Sequence, residues 1–176
     1  FRLSDGRMIK FSHEVINCGV YHMITTPDNK YLLAGGYVGH LRQICLESGE
    51  VVHDYGKIHD PGFSWMQITR DSRKLIIGGH NGGIQRISSE KRAVEEHFFL
   101  VMNGHITAMN FSADQEKLFL GDYKGKLKLV SLTDGTIIKN FGKSHDDNVT
   151  GIVITTDEKS FFTSSGDGKF KEWSHE

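Results

Sequence analysis

The chain has 176 residues, 38% of them hydrophobic and 24% charged, with 21 Lys and Arg against 22 Asp and Glu. This is the composition of a soluble globular protein, and its near-neutral balance in both halves excludes the broad basic field that nucleic acid or an anionic membrane would need. Cys18 and Cys45 are too few for a disulfide framework and imply a reducing, cytoplasmic setting; neither a signal peptide nor a long apolar run occurs.

A repeat organises the elements. Asp28, Asp71, Asp114 and Asp157 lie 43 residues apart, and Gly39, Gly82, Gly125 and Gly168 each follow their Asp by eleven. A unit this short cannot bury its own apolar face, so the four copies must stack and share cores. In chain order the units run 13–55, 56–98, 99–141 and 142–176, with 1–12 ahead of them. Apolar residues come in short blocks between Asp, Asn and Gly turns, too short and too rich in β-branched and aromatic residues for helices but suited to strands. Matched columns hold Met23, Met66, Met109 and Ile152, and further on Leu41, Ile84, Leu127 and Phe170.

The second unit departs from the others at Ser89-Glu90-Lys91-Arg92, read here as a loop entering a strand because the array needs a fourth strand at that point. The apolar run from Phe98 to Met102 is read as core. The third unit shows the grammar most plainly, with strands over 106–112, 117–122, 126–131 and 136–141. Its Asp114 is placed to accept backbone amides two residues on, and Gly125 to adopt the positive φ of a tight hairpin. The chain is therefore all-β, with four strands to a unit.

In the fourth unit His145, Thr163, Asp167 and Trp173 stand in sequence, the Trp six residues past the Asp. With a 43-residue period and four antiparallel strands per unit, the chain resembles the WD-repeat β-propeller family, whose blades are radially arranged four-stranded sheets. The resemblance implies a hydrogen-bonded tetrad in which Asp167 holds His145 while the Thr163 hydroxyl and Trp173 indole extend the network into the sheet. Such a set is structural, since buried polar groups need partners and a satisfied chain of them stiffens a blade. The other units depart from it: Val38, Asn81 and Lys124 replace the Asp, and Ile44, Ile87 and Val130 replace the Trp, although His59 matches His145. Their strength is expected to rest on apolar packing.

The family closes its ring by letting a first strand complete the last unit. Phe1 shares the column of Trp173, so residues 1–12 are read as that closing outer strand. Four units leave three closures open: a segment of a larger propeller, a self-closed ring of four blades, or two chains sharing eight. Completion by further blades or by a second copy is favoured.

No catalytic residue, cofactor or metal site is expected. The Gly-rich segments lack the Lys-Ser or Lys-Thr of a phosphate loop, the ten histidines form no His-x-x-x-His spacing, and no serine sits in a nucleophile elbow. What remains is a rigid disc displaying loops. One face gathers Tyr37, His80 and Tyr123 from the turns between second and third strands, and Tyr21, His22 and Trp65 from the starts of first strands. They are candidate partner-binding residues, because Trp and Tyr anchor protein interfaces, or else they cover the top of the core. The resemblance implies a scaffold for protein or peptide partners; the alternative is a structural subunit of a large cytoskeletal or ciliary assembly.

Overall fold

Each repeated Asp closes a turn in the same way. In the computed structural model, which describes residues 19–98 and 100–174, the Thr26 and Thr69 hydroxyls donate to Asp28 and Asp71 at 2.5 Å, and Ser112 donates to Asp114. The same carboxylates accept the amides of Lys30, Arg73 and Glu116, and Asp157 accepts that of Lys159 at 3.2 Å. The residue after each Asp then takes a left-handed φ: 55° at Asn29, 60° at Ser72, 58° at Gln115 and 55° at Glu158. A satisfied turn of this kind reverses the chain and starts the next strand.

Among the described residues three four-stranded antiparallel sheets and one of three strands result. The first blade is β1 (Val20–Thr25), β2 (Tyr31–Gly36), β3 (His40–Cys45) and β4 (Val51–Lys57). The second is β5 (Phe63–Ile68), β6 (Lys74–Gly79), β7 (Ile84–Ser88) and β8 (Ala93–Phe98). The third is β9 (Ile106–Phe111), β10 (Lys117–Asp122), β11 (Lys126–Ser131) and β12 (Ile137–Lys143). The fourth has β13 (Val149–Ile154), β14 (Ser160–Ser165) and β15 (Phe170–Ser174) among the described residues. The outer strand expected at residues 1–12 lies outside them.

The cores sit between blades. Leu33 and Leu41 of the first blade meet Phe63, Met66, Leu75 and Ile77 of the second, Ile76 and Ile84 meet Ile106 and Met109, and Phe119 and Leu127 meet Val149 and Ile152. Burying each such side chain is worth about 1.5–3 kcal/mol. Inner strands β1, β5, β9 and β13 pack in succession, and β13 makes no comparable contact with β1, so the blades form an open arc. The run after β8 splits between two environments: Leu100 is exposed, whereas Val101 and Met102 enter the joint between second and third blades.

The repeated glycines have two reasons to be glycine, of which the turn is only one. Gly39, Gly82 and Gly125 have φ of 82°, 84° and 77°, and a Cβ at each would lie 1.7 Å from His59 O, 2.2 Å from Met102 O and 2.1 Å from His145 O. The linker into the next blade runs directly against the hairpin, where its amides at 58 and 59, 101 and 102, and 144 and 145 donate to the glycine carbonyls. Only glycine permits that approach.

Candidate interaction rim

A repeated hydrogen bond fixes which loops share a face. The amides of Tyr37, His80, Tyr123 and Gly166, each in the turn after a second strand, donate to the carbonyls of Gly19, Gly62, His105 and Asn148, each just ahead of a first strand. Hairpin turns and strand starts are thereby tied together at one end of every blade. Tyr21, Tyr37 and Tyr123 project there, 52%, 56% and 44% exposed.

The six candidate residues fall into three groups. Tyr21 and Tyr37 meet edge-on at 5.6 Å between ring centroids, and both lean on His80, at 6.0 and 6.4 Å. His80 in turn lies 4.1 Å from His105 across the boundary between second and third blades. The Ser64 hydroxyl donates to Ile106 O at 2.7 Å, so His105 Nε2, 2.8 Å away, carries the hydrogen and donates to Ser64. Beneath this cluster His22 and Trp65 pair at 4.9 Å, and Trp65 packs on the core formed by Ile106 and Met109. Tyr123 stands apart, its ring laid over Gly104 where a Cβ would come within 2.3 Å, with Lys124 Nζ 5.0 Å from its centroid.

Burial lowers the pKa values of His22, His80 and His105, and His105 is lowered further by the charge His80 would carry. The imidazoles are therefore neutral near pH 7, and the rim is polar and aromatic without being cationic at its centre. His22 Nδ1, Trp65 Nε1 and His80 Nε2 are buried and have no hydrogen-bond partner among the described residues. His105 was absent from the sequence reading; its one signal was its place immediately before β9, in the strand-entry column of Gly19, Gly62 and Asn148 that the hairpin turns contact.

The fourth blade carries a different constellation. Trp173 Nε1 donates to Thr163 Oγ1 at 2.9 Å, Thr163 donates to His145 Nε2 at 2.8 Å, and His145 Nδ1 donates to Asp167 Oδ2 at 3.1 Å. Asp167 also accepts the amides of Asp146 and Lys169, each at 3.0 Å. Burial opposes its charge, but these two amides and the His145 ring outweigh that and hold the carboxyl well below the usual carboxylate range. His145 and Thr163 are buried, and every donor in the chain has an acceptor. A satisfied, largely buried chain of this kind stiffens a blade.

Blades two and three solve the same turn otherwise. Asn81 accepts the Gly83 amide at 2.8 Å and donates to Asp60 O at 3.3 Å. In the third blade the carboxylate has moved two residues back, to the buried Asp122, which accepts the amides of Lys124 and Lys126 at 2.9 and 2.8 Å. The sequence alignment looked for it at Lys124 and missed it. Among the described residues no three His, Cys, Asp or Glu side chains converge to hold a metal ion.

Comparison with curated proteins finds no match. The solved structure described as "Structure of U3-55K" superposes with a TM-score of 0.76 over 90% of this chain and 50% of that one, at 16% identity. At that identity the likeness establishes the fold, and the chain spans about half the length of the matched structure. Residues 133–174 match the family described as WD domain, G-beta repeat. That match falls on the blade where Thr163 links Trp173 to His145, and the other blades repeat its backbone at the same period, so the fold is that of a WD-repeat β-propeller and its last blade is similar in sequence to that family's repeat.

Proposed function

We propose that the chain is a non-catalytic scaffold that holds protein or peptide partners on the face carrying Tyr21, Tyr37 and Tyr123. WD-repeat propellers are in general protein-interaction scaffolds, and the finer assignment rests on one observation: Tyr21 and Tyr37, each more than half exposed, stand edge-on over a base of His80 and His105 that burial keeps neutral. Large amphipathic rings on a stiff base lose little freedom on binding, which is why Tyr dominates interface anchors. Trp65 and His22 serve this face as its floor, not as contacts. The cytoplasmic setting belongs to the same proposal and is supported by the two cysteines at non-equivalent positions.

The test is a photoreactive residue at Tyr37, compared with one at Val52 on the outer strand β4, in the folded chain exposed to cell extract. Discrete adducts at position 37 that Tyr21→Ala weakens by about tenfold, the loss of one good anchor, support the rim. Equal labelling at both positions, or labelling at Val52 alone, overturns it and favours a structural subunit that associates by its edges.

A further inference from the structure

Two internal joints open into grooves at the end of the blades opposite the tyrosines, one between first and second blades and one between second and third. The grooves are alike in size, about 210 and 220 Å³, and are lined by matching columns of the repeat, yet they differ in chemistry. In the groove between second and third blades Arg86 is held by the chain itself: its Nε lies 3.1 Å from Glu95 Oε2, and its Nη1 donates to Leu132 O at 3.5 Å. In the groove between first and second blades Gln43 stands in the column of Arg86, and Ser89 in that of Leu132.

There the cation comes from the segment that sets the second unit apart. Arg92 lines the groove from the turn between β7 and β8, in the column where the neighbouring blades have Gly49 and Gly135. Those glycines have φ of 78° and 73°, and Arg92 takes the same left-handed backbone at 49°. Glycine adopts it freely, whereas an arginine there weakens the hairpin and so points to a use for its side chain. Among the described residues no carboxylate pairs with Arg92, and the half-buried Ser72 and Ser89 hydroxyls that share its groove have no partner. Tyr55 lies close by: burial raises its pKa and the Arg92 charge pulls it down, while its hydroxyl donates to Gln43 Oε1 at 3.4 Å.

We propose that this groove binds the carboxylate of an acidic peptide side chain, with the Arg92 guanidinium and the Ser72 and Ser89 hydroxyls as donors and Leu33 and Ile68 as the apolar wall for its methylenes. A guanidinium fork matches the two oxygens of a carboxylate, which gives orientation as well as attraction. Charge favours a carboxylate over a phosphoryl group. Asp28 lines the same groove, and its bonds from the Thr26 hydroxyl and the Lys30 amide hold it ionised, so the dianion of a phosphorylated residue meets about twice the repulsion that a carboxylate does. Both of those bonds go to Asp28 Oδ1, and Oδ2 is the oxygen that takes an amide of the same peptide. Both walls belong to blades already joined to each other, and the site is independent of the tyrosine rim on the opposite face.

NMR titration of the whole chain with N-acetylglutamate amide tests it. Saturable shifts of the Arg92 Nε–H and Tyr55 ring signals are expected, with a dissociation constant of about a millimolar, the affinity open to a probe of about a dozen heavy atoms. N-acetylglutamine amide, which lacks the charge, and N-acetylphosphoserine amide, which doubles it, should each bind about tenfold more weakly. Arg92→Gly should weaken the glutamate probe about tenfold or more while melting no lower than wild type, because glycine is the residue that the hairpins of Gly49 and Gly135 use. An arginine with a merely structural role would lower the melt instead. Arg92→Gln serves as the second variant should circular dichroism show that the glycine chain has lost its β spectrum. Equal binding of the glutamine probe, tighter binding of the phosphoserine probe, unchanged affinity in the Arg92 variants, or no saturable shift by about 50 mM overturns the proposal. Labelling at Tyr37 should be the same in Arg92→Gly as in wild type, which separates this site from the rim.

Discussion

Blades two and four share one backbone and hold it by opposite chemistry. Where the fourth blade has Thr163 and Trp173 joined through His145 to Asp167, the second has Ile77 and Ile87, both buried against the first blade. The turn that Asp167 anchors with a carboxylate is anchored in blade two by the amide of Asn81. A propeller joint therefore needs its columns filled and its turn amides accepted, and it tolerates either an aliphatic or a hydrogen-bonded filling. The two fillings differ in how they fail. An aliphatic one fails through a cavity, a polar one through an orphaned donor.

The largest loss is expected at the aliphatic site. Ile77→Ala removes a fully buried side chain and should cost about 2–5 kcal/mol, because packed neighbours collapse only partly onto the space left. Next comes the polar site: Thr163→Val keeps the volume but leaves Trp173 Nε1 and His145 Nε2 without their shared partner, for about 1–3 kcal/mol. Denaturant unfolding of both variants measures the contrast. A double-mutant cycle sharpens it, since Thr163→Val and His145→Leu should be strongly non-additive, while Ile77→Ala and His145→Leu, in separate joints, should add. A larger loss at Thr163 than at Ile77 would break the comparison.

Much of this was legible in the residues. The 43-residue spacing of Asp28, Asp71, Asp114 and Asp157 located every turn between first and second strands, because a carboxylate accepting an amide two residues on is a local interaction. The order of His145, Thr163, Asp167 and Trp173 pointed to a hydrogen-bonded set in one blade through its resemblance to the WD-repeat family, and the distances bear out that set. What the residues did not disclose depends on neighbouring blades. The packing of Trp65 against Ile106 and Met109 joins residues far apart in the chain and leaves no trace near position 65. The pairing of His80 with His105 spans a joint, the close approach of His59 O to Gly39 comes from the next linker, and the displacement of a turn carboxylate from column 124 to Asp122 breaks the alignment that would reveal it.

The rim and the last blade should also part in their response to acid. His80 and His105 titrate below their unfolded value of about 6.5, so as pH falls past that value the unfolded chain takes up protons that the folded rim resists. Stability that is complete at pH 7.5 is lost progressively as pH falls from about 6.5 toward the lowered folded values, and His80→Asn together with His105→Asn should flatten that slope. Asp167 has the opposite kind of group and another window. Its carboxyl is held down, so its contribution is complete above the ordinary carboxylate range, about 4, and disappears only as pH falls below it. Thermal melts at pH 7.5, 5.5 and 3.5, run on wild type and on the double Asn variant, should show the first slope reduced and the second kept.

The smallest effect is expected at Gly168, and it bears on the joints most directly. Gly125 and Gly168 share a hairpin with φ of 77° and 78°, so the left-handed backbone alone penalises alanine equally at both, by about 1–2 kcal/mol. At Gly125 the new methyl also meets His145 O at 2.1 Å, and the linker must retreat from carbonyl bonds it makes through Ser144 and His145. At Gly168 the space is open. The difference between the two melting shifts therefore isolates the cost of crowding a linker from the cost of the dihedral, within a single chain and without touching a side chain. Gly168→Ala should lower the melting temperature by a few degrees and Gly125→Ala by distinctly more; equal shifts would mean that the linker yields freely, and that the hairpin carbonyls contribute little to holding one blade against the next.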